Sequence, residues 1–206
     1  MLTDLQIKEL CKKMEIPLEG VFFKDQLPQK IKPNMAYIIN MENALDENGR
    51  PNDGSHWTCL QVNKYPNGSI EPFYFDSYGS PAAENVKKVV MNTFGQKLPF
   101  SKRDIQSLMN NACGFYCCGL LHFINASKYR TGNFYEDIEN FLCMFDDLNE
   151  SVDWKKNEYI LKHFFQPSDP KLRKKIEIDI EPARIVQEDS GEGMNIMEVP
   201  VKMVKK

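Results

Sequence analysis

The chain has 206 residues, 42% of them hydrophobic and 27% charged, with a formal net charge of −3. That length suits one domain with a sizeable core, alone or with an appendage, and so mild a charge gives no argument for a nucleic-acid- or membrane-binding class. No apolar run approaches the roughly 20 residues of a membrane span. Met1-Leu2-Thr3-Asp4 has neither the basic start nor the apolar core of a secretory signal, so the six cysteines are expected to be reduced thiols in an intracellular compartment, catalytic or packed rather than bridged.

Thr3-Asp4-Leu5-Gln6 fits a capping box, and Leu5, Ile7, Leu10, Cys11 and Met14 supply an apolar face, so a helix is expected over about 4–14. The segment from Gly20 to Pro33 is mixed, with Phe22 and Phe23 expected to be buried. Met35 to Asn40 reads as a buried strand. Glu42 to Ser55, rich in Asp, Asn, Gly and Pro, is a long polar loop of the kind that often carries function. Trp57 to Lys64 and Ile70 to Asp76 flank Tyr65-Pro66-Asn67-Gly68-Ser69 and predict a β-hairpin.

Ser80-Pro81 is the expected start of a helix to about Phe94, with Val86, Val89, Val90 and Phe94 inward. Leu98 to Ser101 is a further strand candidate. A helix is expected from Cys113 to about Ala126, another from the Asn133/Glu136 cap to about Leu148, and another from Ser151 to near Phe165. After Gln166-Pro167-Ser168-Asp169-Pro170 the pattern changes to alternation at Ile176, Ile178 and Ile180, and later at Val199, Val201 and Met203. Residues 167–206 are therefore expected to be an edge hairpin, limited by Pro182 and Pro200, or a flexible tail. Residues 1–166 form the main domain. The fold class is α+β: a mixed central sheet flanked by helices, with a C-terminal β-like appendage.

Asn110-Asn111-Ala112-Cys113-Gly114-Phe115-Tyr116-Cys117-Cys118 puts a thiol where a loop runs into an apolar helix. Unpaired backbone N–H groups and the positive end of the helix dipole favour thiolate there, the form a nucleophile needs. It also needs a base. His122 lies on the same helix, on the order of 13 Å along the axis and on the opposite side. His163 stands in an apolar helix end, a packing position. His56, after the polar loop and at the mouth of the hairpin, remains as the base. With the turn centred near Pro66, Asp76 faces His56 across the ladder, whereas Glu71 falls on the other face. Gln106, Asn110 and Asn111, with the backbone N–H of Cys113, are candidate donors to an oxyanion, and spacing does not choose among them. Cys118 and His122 share a helix face, but two ligands do not make a zinc site. Cys11, Cys59, Cys117, Cys118 and Cys143 are expected in the core. Lys171-Leu172-Arg173-Lys174-Lys175 reads as a solvated basic run.

Gly54-Ser55-His56-Trp57, then Tyr74-Phe75-Asp76-Ser77-Tyr78-Gly79, then Gln106 and Cys113-Gly114-Phe115-Tyr116-Cys117-Cys118, resemble in that order the adenain clan of cysteine proteases. The clan includes adenovirus maturation proteases, their relatives in virophages and large DNA viruses, and the SUMO-specific proteases. The double cysteine and Leu121-His122 look closer to the adenovirus branch, and the likeness covers roughly residues 20–130. It implies His56 as base, Asp76 as orienting acid, Gln106 as oxyanion donor and Cys113 as nucleophile, with Trp57, Gly54 and Ser55 beside the substrate. Adenovirus enzymes have Glu where this chain has Asp76, and nothing in the resemblance corresponds to the segment after Pro170. The implied activity is that of an endopeptidase cleaving viral capsid or core precursors at glycine-containing sites, in host cytoplasm or viral factory and in the virion. No cofactor is implied for the chemistry itself, and no membrane. Adenovirus-type enzymes use an activating peptide and DNA, which leaves room for either here. The competing readings are an isopeptidase of a ubiquitin-like modifier and a catalytically silent capsid-accessory protein.

Overall fold

The capping box at Thr3 forms as the sequence predicts: Thr3 Oγ1 accepts from the Gln6 N–H at 3.2 Å and the Gln6 side chain accepts from the Thr3 N–H at 2.9 Å. It opens helix α1 (Asp4–Lys13), which turns Ile7 and Cys11 into the core and leaves Leu5 exposed. The computed structural model describes residues 1–149 and 153–165, together with two short strands near the C-terminus. The chain is mixed α+β. Strands β1 (Leu18–Phe23), β2 (Ala36–Asn40), β3 (Trp57–Lys64), β4 (Ile70–Phe75) and β5 (Phe100–Ser101) lie side by side in chain order. β1 pairs parallel with β2, β2, β3 and β4 run antiparallel, and β5 joins β4 in parallel. Beyond β5 the order continues with β6 (Ile185–Gln187) and β7 (Asn195–Met197), each antiparallel to its neighbour. The alternating residues 176–180 and 199–203, the two prolines and the basic run at 171–175 lie outside the described residues.

The sheet carries apolar side chains on both faces, because alternate residues of a strand point to opposite sides. Ile38, Cys59, Phe73 and Phe75 face one core; Tyr37, Ile39, Leu60, Val62 and Tyr74 face another. The second core is closed by α2 (Glu84–Phe94), through Val86 and Val90. The first holds α1, α3 (Cys113–Asn125), α4 (Phe134–Leu142) and α5 (Trp154–Phe164). α3 is buried on nearly all sides, and its cysteines, glycines, Leu120, Leu121, Phe123 and Ile124 are all in the core. A helix apolar all round belongs in the middle of a domain.

Four details differ from expectation. Phe22 and Phe23 are half-buried, because Leu18–Phe23 is an edge strand rather than an irregular segment. α2 starts at Glu84, after an extended lead-in through exposed Pro81, and Val89 and Phe94 are half-buried. α4 stops at Leu142, and the backbone after it is taken by other elements: the Asp146 N–H donates to Asn157 Oδ1 at 2.8 Å, and the Leu148 N–H to the Asp104 carbonyl at 2.7 Å. The hairpin is centred on Asn67, since Leu60 opposes Tyr74 and Lys64 opposes Ile70. Its loop closes from Tyr65 to Ser69, with Asn67 Oδ1 accepting from the Ser69 N–H at 2.9 Å. Every partner is thus displaced by two residues from a turn centred on Pro66. A two-residue displacement preserves the face, so Asp76 stays on the side of His56 but is not directly opposite it.

The chain leaves β4 through a turn, Asp76 to Gly79, in which the Gly79 N–H donates to the Asp76 carbonyl at 2.9 Å. Gly79 has φ +68°, and a Cβ there would lie 2.3 Å from the carbonyl oxygen of Lys102. Neither the left-handed backbone nor that contact tolerates a side chain. Gly79→Ala is expected to lower the unfolding free energy by about 1–3 kcal/mol, read from urea denaturation. An unchanged midpoint would show that the turn can rearrange freely.

Candidate active site

The strand that follows His56 is held to the helix that carries Cys113 by main-chain contacts. Trp57, the first residue of β3, donates its N–H to Cys113 Sγ at 3.4 Å, and its carbonyl accepts from Cys117 Sγ at 3.4 Å. Its indole lies in the core, with Nε1 donating to the Leu2 carbonyl at 2.8 Å. Gly114 keeps the space between them: a Cβ there would sit 3.2 Å from Leu2 and 3.4 Å from Trp57. The Leu2 contact is invisible in sequence, because a backbone carbonyl in a terminal segment leaves no residue signal.

His56 and Asp76 meet just outside the paired ends of β3 and β4, with Nε2 and Oδ1 2.8 Å apart. Nε2 is thereby engaged, which leaves Nδ1 as the ring nitrogen available to exchange a proton with the thiol. Asp76 is 3% exposed, and the same Oδ1 accepts from the Tyr78 N–H at 2.9 Å. Burial pulls the His56 pKa down, but hydrogen bonding and charge from Asp76 and Cys113 outweigh it and raise the imidazole to about 9. A value of about 9 leaves the ring protonated at neutral pH. Cys113 opens α3 and is 2% exposed. No side chain caps its helix through the Ala112 position, but Asn110 Oδ1 accepts from the Ala112 N–H at 3.1 Å.

The other candidates fall as follows. Gln106 is buried, its Oε1 accepting from Ser77 Oγ at 2.7 Å and its Nε2 donating to Tyr78 Oη and to the Asn110 carbonyl, both at 3.1 Å. The Asn110 side-chain amide is engaged with Glu158, and Asn111 is exposed. Gly54, at φ +80°, abuts the Asn40 side chain, where a Cβ would come within 2.1 Å of Nδ2. Ser55 is exposed and donates to Glu42 Oε1 at 2.6 Å. His122 is away from this cluster, its Nδ1 2.9 Å from the Met14 carbonyl at the end of α1. The side chain of His163 lies outside the described residues. Cys11, Cys59, Cys117, Cys118 and Cys143 are buried free thiols. A cavity of about 590 Å³ adjoins the loop before Cys113, lined by Asn110, Ala112, Phe115, Glu158, Leu161 and Phe165 among others.

Sequence reasoning missed Tyr78, whose ring stacks on His56 with centroids 4.5 Å apart and planes at 24°. A hairpin centred on Asn67 would have revealed it, since that register carried past the strand ends sets position 78 opposite position 56. Among the described residues there is no cluster of three or more His, Cys, Asp or Glu able to hold a metal, and no helix long and apolar enough to cross a membrane. No protein-family model matches the chain, and none of the curated proteins compared with it matches at a significant level.

The His56 shift has a sign that can be tested. A pKa raised from 6.5 to about 9 stabilises the fold fully below the lower value, and that stability is lost as pH rises through the upper one. An NMR titration of the imidazole should show a midpoint near 9. Asp76→Asn removes the main raising partner and should lower the midpoint by about one pH unit or more. A wild-type midpoint near 6.5 would contradict the ion-paired reading.

Proposed function

We propose that this chain is a cysteine endopeptidase of the adenain type, acting on glycine-containing junctions of a viral structural precursor. The observation that carries the reading is the His56–Asp76 pair at 2.8 Å, with the imidazole raised in part by Cys113 at the first residue of α3. A thiol beside an imidazole that a buried carboxylate orients supplies the parts of nucleophilic acyl transfer.

The Cys113 thiolate attacks the carbonyl carbon of the scissile peptide; the C–S bond forms and the π pair moves to oxygen. In this reading the backbone N–H of Cys113 and the Gln106 network supply the donors to the developing oxyanion. The carbonyl then re-forms, the C–N bond breaks, and the departing nitrogen takes the proton from His56 Nδ1. His56, now neutral, draws a proton from water as that water attacks the thioester, and Cys113 is released. Asp76 keeps the ring oriented.

Glycine before the scissile bond lets the substrate backbone lie close to the half-buried His56 and to the buried Cys113, and pair as an added strand. The cavity bounded by Phe115, Leu161 and Phe165 offers room for a larger apolar side chain elsewhere in the substrate.

Cys113→Ala and His56→Ala are expected to abolish turnover, and Gln106→Ala to reduce kcat by roughly 10²–10³. Cleavage products mapped by mass spectrometry from a glycine-containing precursor and from ubiquitin-like conjugates would separate endopeptidase from deconjugase. Cuts without glycine at either position before the scissile bond would sink the substrate assignment, and a Cys113→Ala variant that still cleaves would sink the mechanism.

A further inference from the structure

We propose that the phenol of Tyr78 is a catalytic residue that donates the side-chain hydrogen bond to the oxyanion, with Gln106 acting through it. The proposal rests on the acyl-transfer reading above and changes which atom meets the substrate. A primary amide has two N–H bonds, and both of those on Gln106 are engaged, one with the Asn110 carbonyl and one with Tyr78 Oη, each at 3.1 Å. The orientation of the amide is fixed from its other end as well, because Ser77 Oγ donates to Oε1 at 2.7 Å. Gln106 is 1% exposed and Ser77 fully buried, so the amide cannot turn toward substrate without breaking a buried bond.

Tyr78 is placed differently. It is half-buried, its ring lies on His56, and its backbone N–H is tied to Asp76 Oδ1 at 2.9 Å. Its hydroxyl accepts from Gln106, and among the described residues no acceptor takes the O–H proton. A hydroxyl that accepts a hydrogen bond becomes a stronger donor, because the bonds in such a chain polarise one another. The relay runs from the Ser77 hydroxyl to Gln106 Oε1, and from Gln106 Nε2 to the Tyr78 phenol. Burial together with the charges of Cys113 and Asp76 raises the Tyr78 pKa, in keeping with a hydroxyl close to the nucleophile that stays protonated. During attack the C–S bond forms and the carbonyl π pair settles on oxygen, where it accepts from the Tyr78 O–H. The phenol keeps its proton, and the proton for the leaving group comes from His56.

Tyr78→Phe retains the ring over His56 and removes only the hydroxyl. Two reactions at Cys113 distinguish its roles: acylation by p-nitrophenyl acetate, which passes through an oxyanion, and alkylation by iodoacetamide, which does not. Each is corrected for the background of Cys113→Ala. Tyr78→Phe should slow acylation by roughly 10²-fold and leave alkylation within about twofold of wild type. The Tyr78→Phe/Gln106→Ala double variant should acylate no more slowly than Tyr78→Phe alone, since the two act as a unit. Acylation at the wild-type rate would overturn the proposal, as would equal losses in both reactions or losses that multiply in the double variant. Wild-type protein that alkylates but never acylates would instead refute acyl transfer itself.

Discussion

The main chain of Trp57 fixes the site. Its N–H meets Cys113 Sγ and its carbonyl meets Cys117 Sγ, two residues one helical turn apart on α3. A strand end is thereby tied to two points on a helix, so α3 can neither slide nor rotate against the sheet without losing a buried contact. His56 precedes Trp57, and its position relative to Cys113 follows from that tie. The rest of the helix supports it, since α3 is enclosed by the sheet, α1, α4 and α5. Movement of Cys113 would have to be shared by the whole first core, and close-packed interiors resist such displacement.

The second support is the turn from Asp76 to Gly79. The Asp76 side chain is buried, and a polar group in that position needs partners that offset its lost hydration. It has two, the His56 ring and the Tyr78 N–H. The Ser77 carbonyl accepts from the Ile105 N–H at 2.8 Å and the Gln106 N–H at 3.1 Å, which hangs the loop leading to Cys113 on the same turn. His56, Asp76, Tyr78 and Gln106 are thus joined through one short run of backbone. The close approach of Gly79 to Lys102 sets where that run sits against the chain after β5.

Much of this was legible because the local chemistry was unambiguous. Thr3 with Gln6 marks a helix start, Trp57 to Lys64 and Ile70 to Asp76 flank a turn of Pro, Asn and Gly, and only His56 among the histidines stands where a cleft can form. The apolar run after Cys113 indicates a buried helix without help from periodicity. Errors arose where the deciding force was not local. Leu18–Phe23 contains Glu19 and Gly20, poor strand formers, and becomes a strand because β2 offers it a parallel edge. The hairpin centre depended on Asn67 closing a five-residue loop, a choice that Pro66 disguised. Ser80-Pro81 has the composition of a helix start, yet the helix waits for Glu84, with the Ala83 carbonyl as its first acceptor. The role of Tyr78 depends on register, and a shift of two residues was enough to hide it.

The six thiols show how position, not residue type, sets the surroundings of a cysteine. Cys113 and Cys117 are one turn apart on one helix and both touch the main chain of Trp57. Burial and neighbouring thiols push Cys117 well above the ordinary thiol range, and Cys118, 3.8 Å from Cys11, is pushed up as well. Those groups stay protonated and pack as small apolar side chains. Cys113 is no more exposed than they are in any useful sense, at 2%. What distinguishes it is the neighbouring His56 imidazole, which it helps to raise, and its place as the first residue of α3. Moving the cysteine one turn along α3 would leave the helix start and the histidine behind. Cys113 therefore owes its surroundings to the junction of helix start and strand end, and the packing of α3 against the sheet, α1, α4 and α5 holds that junction in place.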